Sequence, residues 1–166
     1  MFENKTRALP RFGEEVSLER INFSWTIEEA LKENMLHEVP KLTEIVVAGG
    51  YWSALSSIQL KFDNGIESPT FRTRSGYPPV SHVLGADEFL SEIRVKVYKN
   101  YLNKIELIGE EGQAYFSTEE YHTSGDYVSH AIAEHEVIIG FHGAKQNSYN
   151  GISSLGFIVA DITDLL

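Results

Sequence analysis

From Thr43 onward the chain is cut into short runs, β-branched or alternating apolar and polar, each bounded by Gly, Asn, Asp or Pro. Runs of about five to nine residues with period-two alternation suit strands that bury one face, and they are too short to stand alone as helices. The candidate strands are Glu44–Ala48, Ala54–Phe62, Leu90–Tyr98, Lys104–Gly109, Ala114–Ser117, Val137–His142 and Ile152–Ala160. Asp63-Asn64-Gly65 and Glu110-Glu111-Gly112 mark turns, because Asn and Gly accept positive φ at little steric cost. Nothing after Pro40 calls for a long helix, so this part is expected to be all-β.

The N-terminal part reads differently. Residues 1–25 are polar and irregular, and Pro10 and Gly13 break any period. Thr26 and Glu29 have the capping-box spacing, in which each side chain can satisfy the other's free backbone N–H. Ile27, Leu31 and Met35 follow four apart on one face, with Ala30 beside them, and Pro40 stops the pattern. One helix is expected near residues 27–38. The division expected from these patterns is an N-terminal arm with one short helix over 1–42 and a β domain over 43–166. An arm of this polarity gains order only by packing on the rest of the chain or on a partner protein.

Composition narrows the partners. The chain has 166 residues, 42% hydrophobic and 23% charged, which supports one domain with a substantial core. It contains no cysteine, so neither a disulfide framework nor a thiolate metal site is available. The net charge of −10 disfavours nucleic acid and anionic membranes, both of which require a basic surface. Neutral ligands such as sugars, or other proteins, fit better. The start, Met1-Phe2-Glu3-Asn4-Lys5, carries no apolar signal core and no later run could span a bilayer. A cytoplasmic location is therefore expected, with a cysteine-free extracellular domain as the alternative.

An internal pattern recurs. Leu55-Ser56-Ser57-Ile58-Gln59-Leu60-Lys61-Phe62 is similar to Leu90-Ser91-Glu92-Ile93-Arg94-Val95-Lys96-Val97 and to Ile152-Ser153-Ser154-Leu155-Gly156-Phe157-Ile158-Val159. Three copies in a β-rich chain predict approximate threefold symmetry, each copy holding a similar place in its own sheet.

Glu136-Val137-Ile138-Ile139-Gly140-Phe141-His142-Gly143, followed by Leu155-Gly156-Phe157-Ile158-Val159, resembles the C-terminal signature of jacalin-related lectins of the mannose-binding type. Ala48-Gly49-Gly50-Tyr51 is similar to that family's early glycine-rich segment, and Glu88-Phe89-Leu90-Ser91-Glu92-Ile93 to its Glu-aromatic-Ile strand. The resemblance covers about residues 43–162. It implies a β-prism of three four-stranded antiparallel sheets around a pseudo-threefold axis, and metal-free sugar binding at one end. The ligand-binding residues it implies are Gly49 and Gly50, then Tyr98, Asn100 and Tyr101, then Asn147, Ser148, Tyr149 and Asn150 in the loop Ala144–Gly151. Amides, backbone donors and flat aromatic faces are what a sugar pocket needs. One departure matters: where the family carries an aspartate before its last strand, this chain has Ser153. Asn150 would be a weaker acceptor than a carboxylate.

Other chemistry finds little support. His135 and His142 are expected to face opposite sides of a strand, which makes a poor ligand pair, and His142 fits a structural place in its turn. No nucleophile elbow, cysteine or phosphate-binding glycine loop is present. Neighbouring acids such as Glu110-Glu111 are expected on solvated turns or edges, and sequence neighbours on a strand point apart, so they do not form a glycosidase pair. No catalytic residue, metal or cofactor is therefore assigned. The expected function is a non-catalytic carbohydrate-binding module whose partner is a glycan or glycoprotein. The alternative is a structural or interaction subunit, or a toxin receptor-binding module, that keeps the prism without the sugar. In that case residues 1–42 would contact protein partners and the chain could serve as an oligomer or assembly subunit.

Overall fold

A computed structural model describes residues 5–13, 20–33, 41–48, 55–72, 78–85, 88–98, 101–117, 125–146 and 152–165. The elements in chain order are β1 (Thr6–Ala8), β2 (Arg20–Thr26), helix α1 (Ile27–Glu33), β3 (Leu42–Ala48), β4 (Ser57–Phe62), β5 (Phe71–Arg72), β6 (Val80–Val83), β7 (Leu90–Tyr98), β8 (Tyr101–Gly109), β9 (Ala114–Ser117), β10 (Asp126–Ala131), β11 (Glu136–Gln146) and β12 (Ile152–Asp161). A single 3-10 turn, Thr163–Leu165, ends the described chain.

The strands form three four-stranded antiparallel sheets, ordered β1-β12-β11-β2, β10-β7-β8-β9 and β5-β4-β3-β6. One rule generates all three. Two consecutive strands make the inner hairpin, the next strand joins the second of them, and the one after joins the first. In the β11–β12 sheet the last two places are filled from the other end of the chain, by β1 and β2. Residues 6–8 and 20–26 are thus sheet strands, which corrects the expectation of an irregular arm. The causes differ: β1 is exposed all along its length and carries no apolar alternation to read, whereas β2 does alternate at Ile21, Phe23 and Trp25, a signal the reading of an irregular arm overlooks. The β1 segment is anchored just beyond, where Leu9 and Phe12 are each 1% exposed: the Leu9 amide donates to the Phe157 carbonyl at 2.8 Å, and Phe12 exchanges backbone bonds of 2.7 and 2.9 Å with Leu155.

The expected helix is present as α1, with Ile27 and Leu31 buried on its inner face. Met35 and the rest of the predicted span to residue 38 lie outside the described residues. The strands read from the sequence are all present within a few residues, and β1, β2, β5, β6 and β10 are additional to them. Both turn signals hold in the same form. Gly65 and Gly112 each have φ of 83°, and their amides reach back to Phe62 and Gly109 at 3.1 and 3.0 Å.

The threefold pattern is present but shifted by one strand. β4 and β12 hold equivalent places, each the second strand of its inner hairpin, whereas β7 is the first. The true third copy is Leu102-Asn103-Lys104-Ile105 at the start of β8. Asn103 and Ser153 are each the extra residue of a bulge opposite the partner strand. Ser56 donates from both its amide (2.7 Å) and its hydroxyl (3.3 Å) to the carbonyl of Ala48, as Ser153 donates its hydroxyl to Ala144 at 3.1 Å. Ser91 has a different equivalent. It is a bulge residue at the other end of its sheet, matching Thr43 in β3: their hydroxyls donate to Gly109 (2.8 Å) and Lys61 (3.2 Å). Hydroxyl-bearing bulges at opposite sheet ends look alike in sequence because the same backbone problem is solved at both.

The core lies between the sheets. Ile58 and Leu60, Ile105 and Leu107, and Leu155 and Phe157 enter it from the three second hairpin strands, all 0% exposed.

Candidate carbohydrate-binding pole

The motif Gly140-Phe141-His142-Gly143 has a packing reason at each position. A Cβ on Gly140 would lie 2.2 Å from the Trp25 carbonyl oxygen, and one on Gly143 would lie 2.3 Å from that of Ser154. At these two positions the β11 backbone therefore sits too close to its neighbours for any side chain. Phe141, between the two glycines, is fully buried and meets Phe71 edge-on at a centroid distance of 5.2 Å.

His142 lies over Gly156, where an added Cβ would be 2.3 Å from the ring's Nε2. Its Nδ1 accepts from the Arg11 Nε–H at 2.9 Å, so Nε2 carries the proton and faces the Leu9 carbonyl at 3.2 Å. Burial pushes its pKa below the usual histidine value, helped by the adjacent Arg11 charge and partly offset by the Leu9 bond. The ring is neutral and holds the strap that links β1 to Phe12. Arg7 grips Glu136 with two bonds of 2.6 Å on the same sheet, which holds the Glu136 carboxyl below the usual carboxylate range. The histidine is thus structural, as its sequence position suggested; its partners Leu9 and Arg11, over a hundred residues away, gave no sequence signal.

The described flanks of the three inner hairpins meet at one pole. The Ile152 amide donates to the Leu55 carbonyl at 2.9 Å, joining the flank of the β11–β12 connection to that of the β3–β4 connection. Gly13 draws in the third: a Cβ there would lie 2.2 Å from the Ser153 carbonyl oxygen and 3.0 Å from Leu102 Cδ2. Leu102 stands just after the β7–β8 turn. The backbone at Gly13, with φ of 83°, can therefore bring the starts of β8 and β12 to one point.

Among the residues expected to bind ligand, Tyr98 and Tyr101 are the last Cα pair of the β7–β8 hairpin, opposite one another. Gly49, Gly50, Asn100, Asn147, Ser148, Tyr149 and Asn150 lie outside the described residues; the structure brings together the strand ends that carry them. Ser153, which stands where the family carries an aspartate, is 6% exposed and its hydroxyl is engaged by the Ala144 carbonyl. It is a hairpin staple.

The comparisons with known proteins agree with this geometry. The family profile of the Jacalin-like lectin domain matches residues 5–158. No curated protein sequence matches the chain. Among solved structures, a prostate-specific glycoprotein lectin superposes with a TM-score of 0.66 at 20% identity, covering 91% of this chain and 98% of its own. Artocarpin in complex with mannotriose gives 0.66 at 15% identity, covering 94% and 98%. The agglutinin of Calystegia sepium gives 0.63 at 16% identity, covering 93% and 96%. With the β-prism, its hairpin glycines and a match that includes β1 and β2, the chain belongs to the jacalin-like lectin domain family.

Proposed function

We propose that this protein binds carbohydrate, without catalysis and without a metal, at the pole where the three inner hairpins end. The observation that carries the reading is the convergence of their flanks, at Leu55, Leu102 and Ile152. A rigid rim of this kind lets short connections present backbone donors, amides and tyrosines toward one ligand with little ordering cost. Gly49 and Gly50 would allow close approach, Tyr98, Tyr101 and Tyr149 would offer ring faces, and Asn100, Asn147, Ser148 and Asn150 would offer amide and hydroxyl groups. Family membership supports this reading, as do neighbours whose structures hold mannotriose or a biantennary N-glycan. The test is a glycan array with the full chain and the Tyr149→Ala/Asn150→Ala variant. Binding by the parent and at least about tenfold weaker binding by the variant is expected, since each lost stacking or hydrogen-bonding group is worth about 1 kcal/mol.

A specific observation favours a second reading, a prism that serves as an interaction subunit without sugar. The acceptor carboxylate is replaced by Ser153, whose side chain is buried and committed to the backbone. Absence of binding to any glycan on the array at millimolar concentration would select it over the first.

A further inference from the structure

The pole opposite the hairpin flanks carries a second feature among the described residues. A cavity of about 290 Å³ lies there, one strand length from the proposed sugar site, or about 20–30 Å at the usual rise per residue. All three sheets contribute to it. Leu42 and Leu84 come from one, Leu90 and Ile132 from the second, and Ile138 and Ile162 from the third. Leu84 and Ile132 are symmetry mates: the first follows β6, the second follows β10, and their amides bond the carbonyls of the bulge residues Thr43 and Ser91 at 2.7 and 2.8 Å. The floor is therefore fixed by the bulges and made of apolar side chains, which give water few partners.

The rim has a sign. Glu88, Glu110, Glu134 and Glu136 border the cavity, against Lys41 and His135. Arg7 already compensates Glu136. The Lys41 ammonium is turned to the Gly85 carbonyl at 2.9 Å and to the Phe89 ring at 4.5 Å. Glu88 meets His82 Nε2 at 3.3 Å. Glu110 and Glu134 are exposed and make no ion pair among the described residues. The same field reaches the neighbouring Tyr115 phenol, whose pKa is raised first by burial and then by Glu88, Glu110 and Glu111.

We propose that this cavity is a second binding site, and that it takes a small organic cation with an apolar body. The volume is at the lower end of the range for small-ligand pockets, about 300–1,000 Å³, and suits one ring or branched chain. The apolar part would rest on Leu42, Leu84, Ile132 and Ile138, with its ammonium toward Glu110 and Glu134. A second copy of this chain is disfavoured as the occupant, because it would set one acidic rim against another in a protein of net charge −10.

The probe is 3-phenylpropylammonium, with 3-phenylpropionate as its charge-reversed control and 3-phenylpropanol as its neutral one. Each is titrated into the full chain while the methyl resonances of Leu42, Leu84, Ile132 and Ile138 are followed by NMR. Saturable shifts are expected there with the cation and weaker binding of the anion, while the Leu55 and Ile152 methyls at the sugar pole stay still. Substituting Glu110→Gln and Glu134→Gln together, both on exposed side chains, should weaken the cation about two- to tenfold and leave the alcohol unchanged. No saturable shift in the four floor methyls up to about 10 mM, or equal binding of cation and anion, overturns the proposal. Neither result bears on sugar binding at the other pole.

Discussion

The β3–β4 sheet and the β11–β12 sheet obey the same topology but are made differently. In the first, all four strands follow one another within residues 42–83; in the second, the inner hairpin ends the chain and both outer strands begin it. Among the described residues of the local sheet, the glycine between its strands is Gly65, in a turn, with no atom within 4 Å of an added Cβ. The closing sheet places glycines in its strands and in the strap, at Gly13, Gly140, Gly143 and Gly156, each with a Cβ position 2.2–2.3 Å from another atom. Joining the two ends of a chain leaves less freedom to adjust spacing, so the closing sheet solves its contacts by backbone proximity.

The comparison breaks most sharply if the N-terminal segment is removed. A chain lacking residues 1–13 loses the buried side chains of Leu9 and Phe12 and uncovers the β12 edge. A loss of about 5 kcal/mol is expected from two large core deletions, enough to abolish a cooperative thermal transition. A truncated chain that still melts like the parent would return residues 1–13 to the status of a dispensable arm. Next in size is a glycine pair. Gly143→Ala should cost about 3 kcal/mol or more through overlap with Ser154 and Phe23. Gly65→Ala should cost only about 1–2 kcal/mol, for left-handed backbone in open space. Urea midpoints of the two variants measure the difference, and equal losses would remove the distinction between the sheets.

The smallest effect concerns pH. The His142 pKa is lowered from 6.5 by burial, so between its folded pKa and 6.5 the unfolded chain binds more protons than the folded one. The neutral ring's contribution is complete above about pH 6.5 and falls as pH drops toward the folded pKa. Urea midpoints should therefore decline on acidification from roughly pH 7.5 to 5.5, and His142→Gln should flatten that slope. Glu136, held down by Arg7, extends the decline below its ordinary 4.5 as its carboxylate takes up protons.

Much of the prism was legible because inner strands bury one face and must alternate, as Ser57–Phe62 and Leu90–Tyr98 do. Two edge strands carry no such alternation, although a third, β2, does. Asp126–Ala131 and Val80–Val83 are largely exposed and gave no period to read. The third symmetry copy was misplaced because Ser91 resembles Ser56 in chemistry while Asn103 holds the equivalent place.

Residue pattern alone determined the strand-rich class, the two glycine turns, the start of the helix and the signature Gly140-Phe141-His142-Gly143, since these depend on period, φ and local packing. Tertiary structure alone decided that the N-terminus completes a sheet, that Ser153 staples a hairpin, and that a carboxylate-rimmed cavity opens opposite the hairpin connections. Each of these joins residues far apart in the chain. Arg7 with Glu136, Arg11 with His142 and Gly13 with Ser153 meet only once the N-terminal segment joins the β11–β12 hairpin.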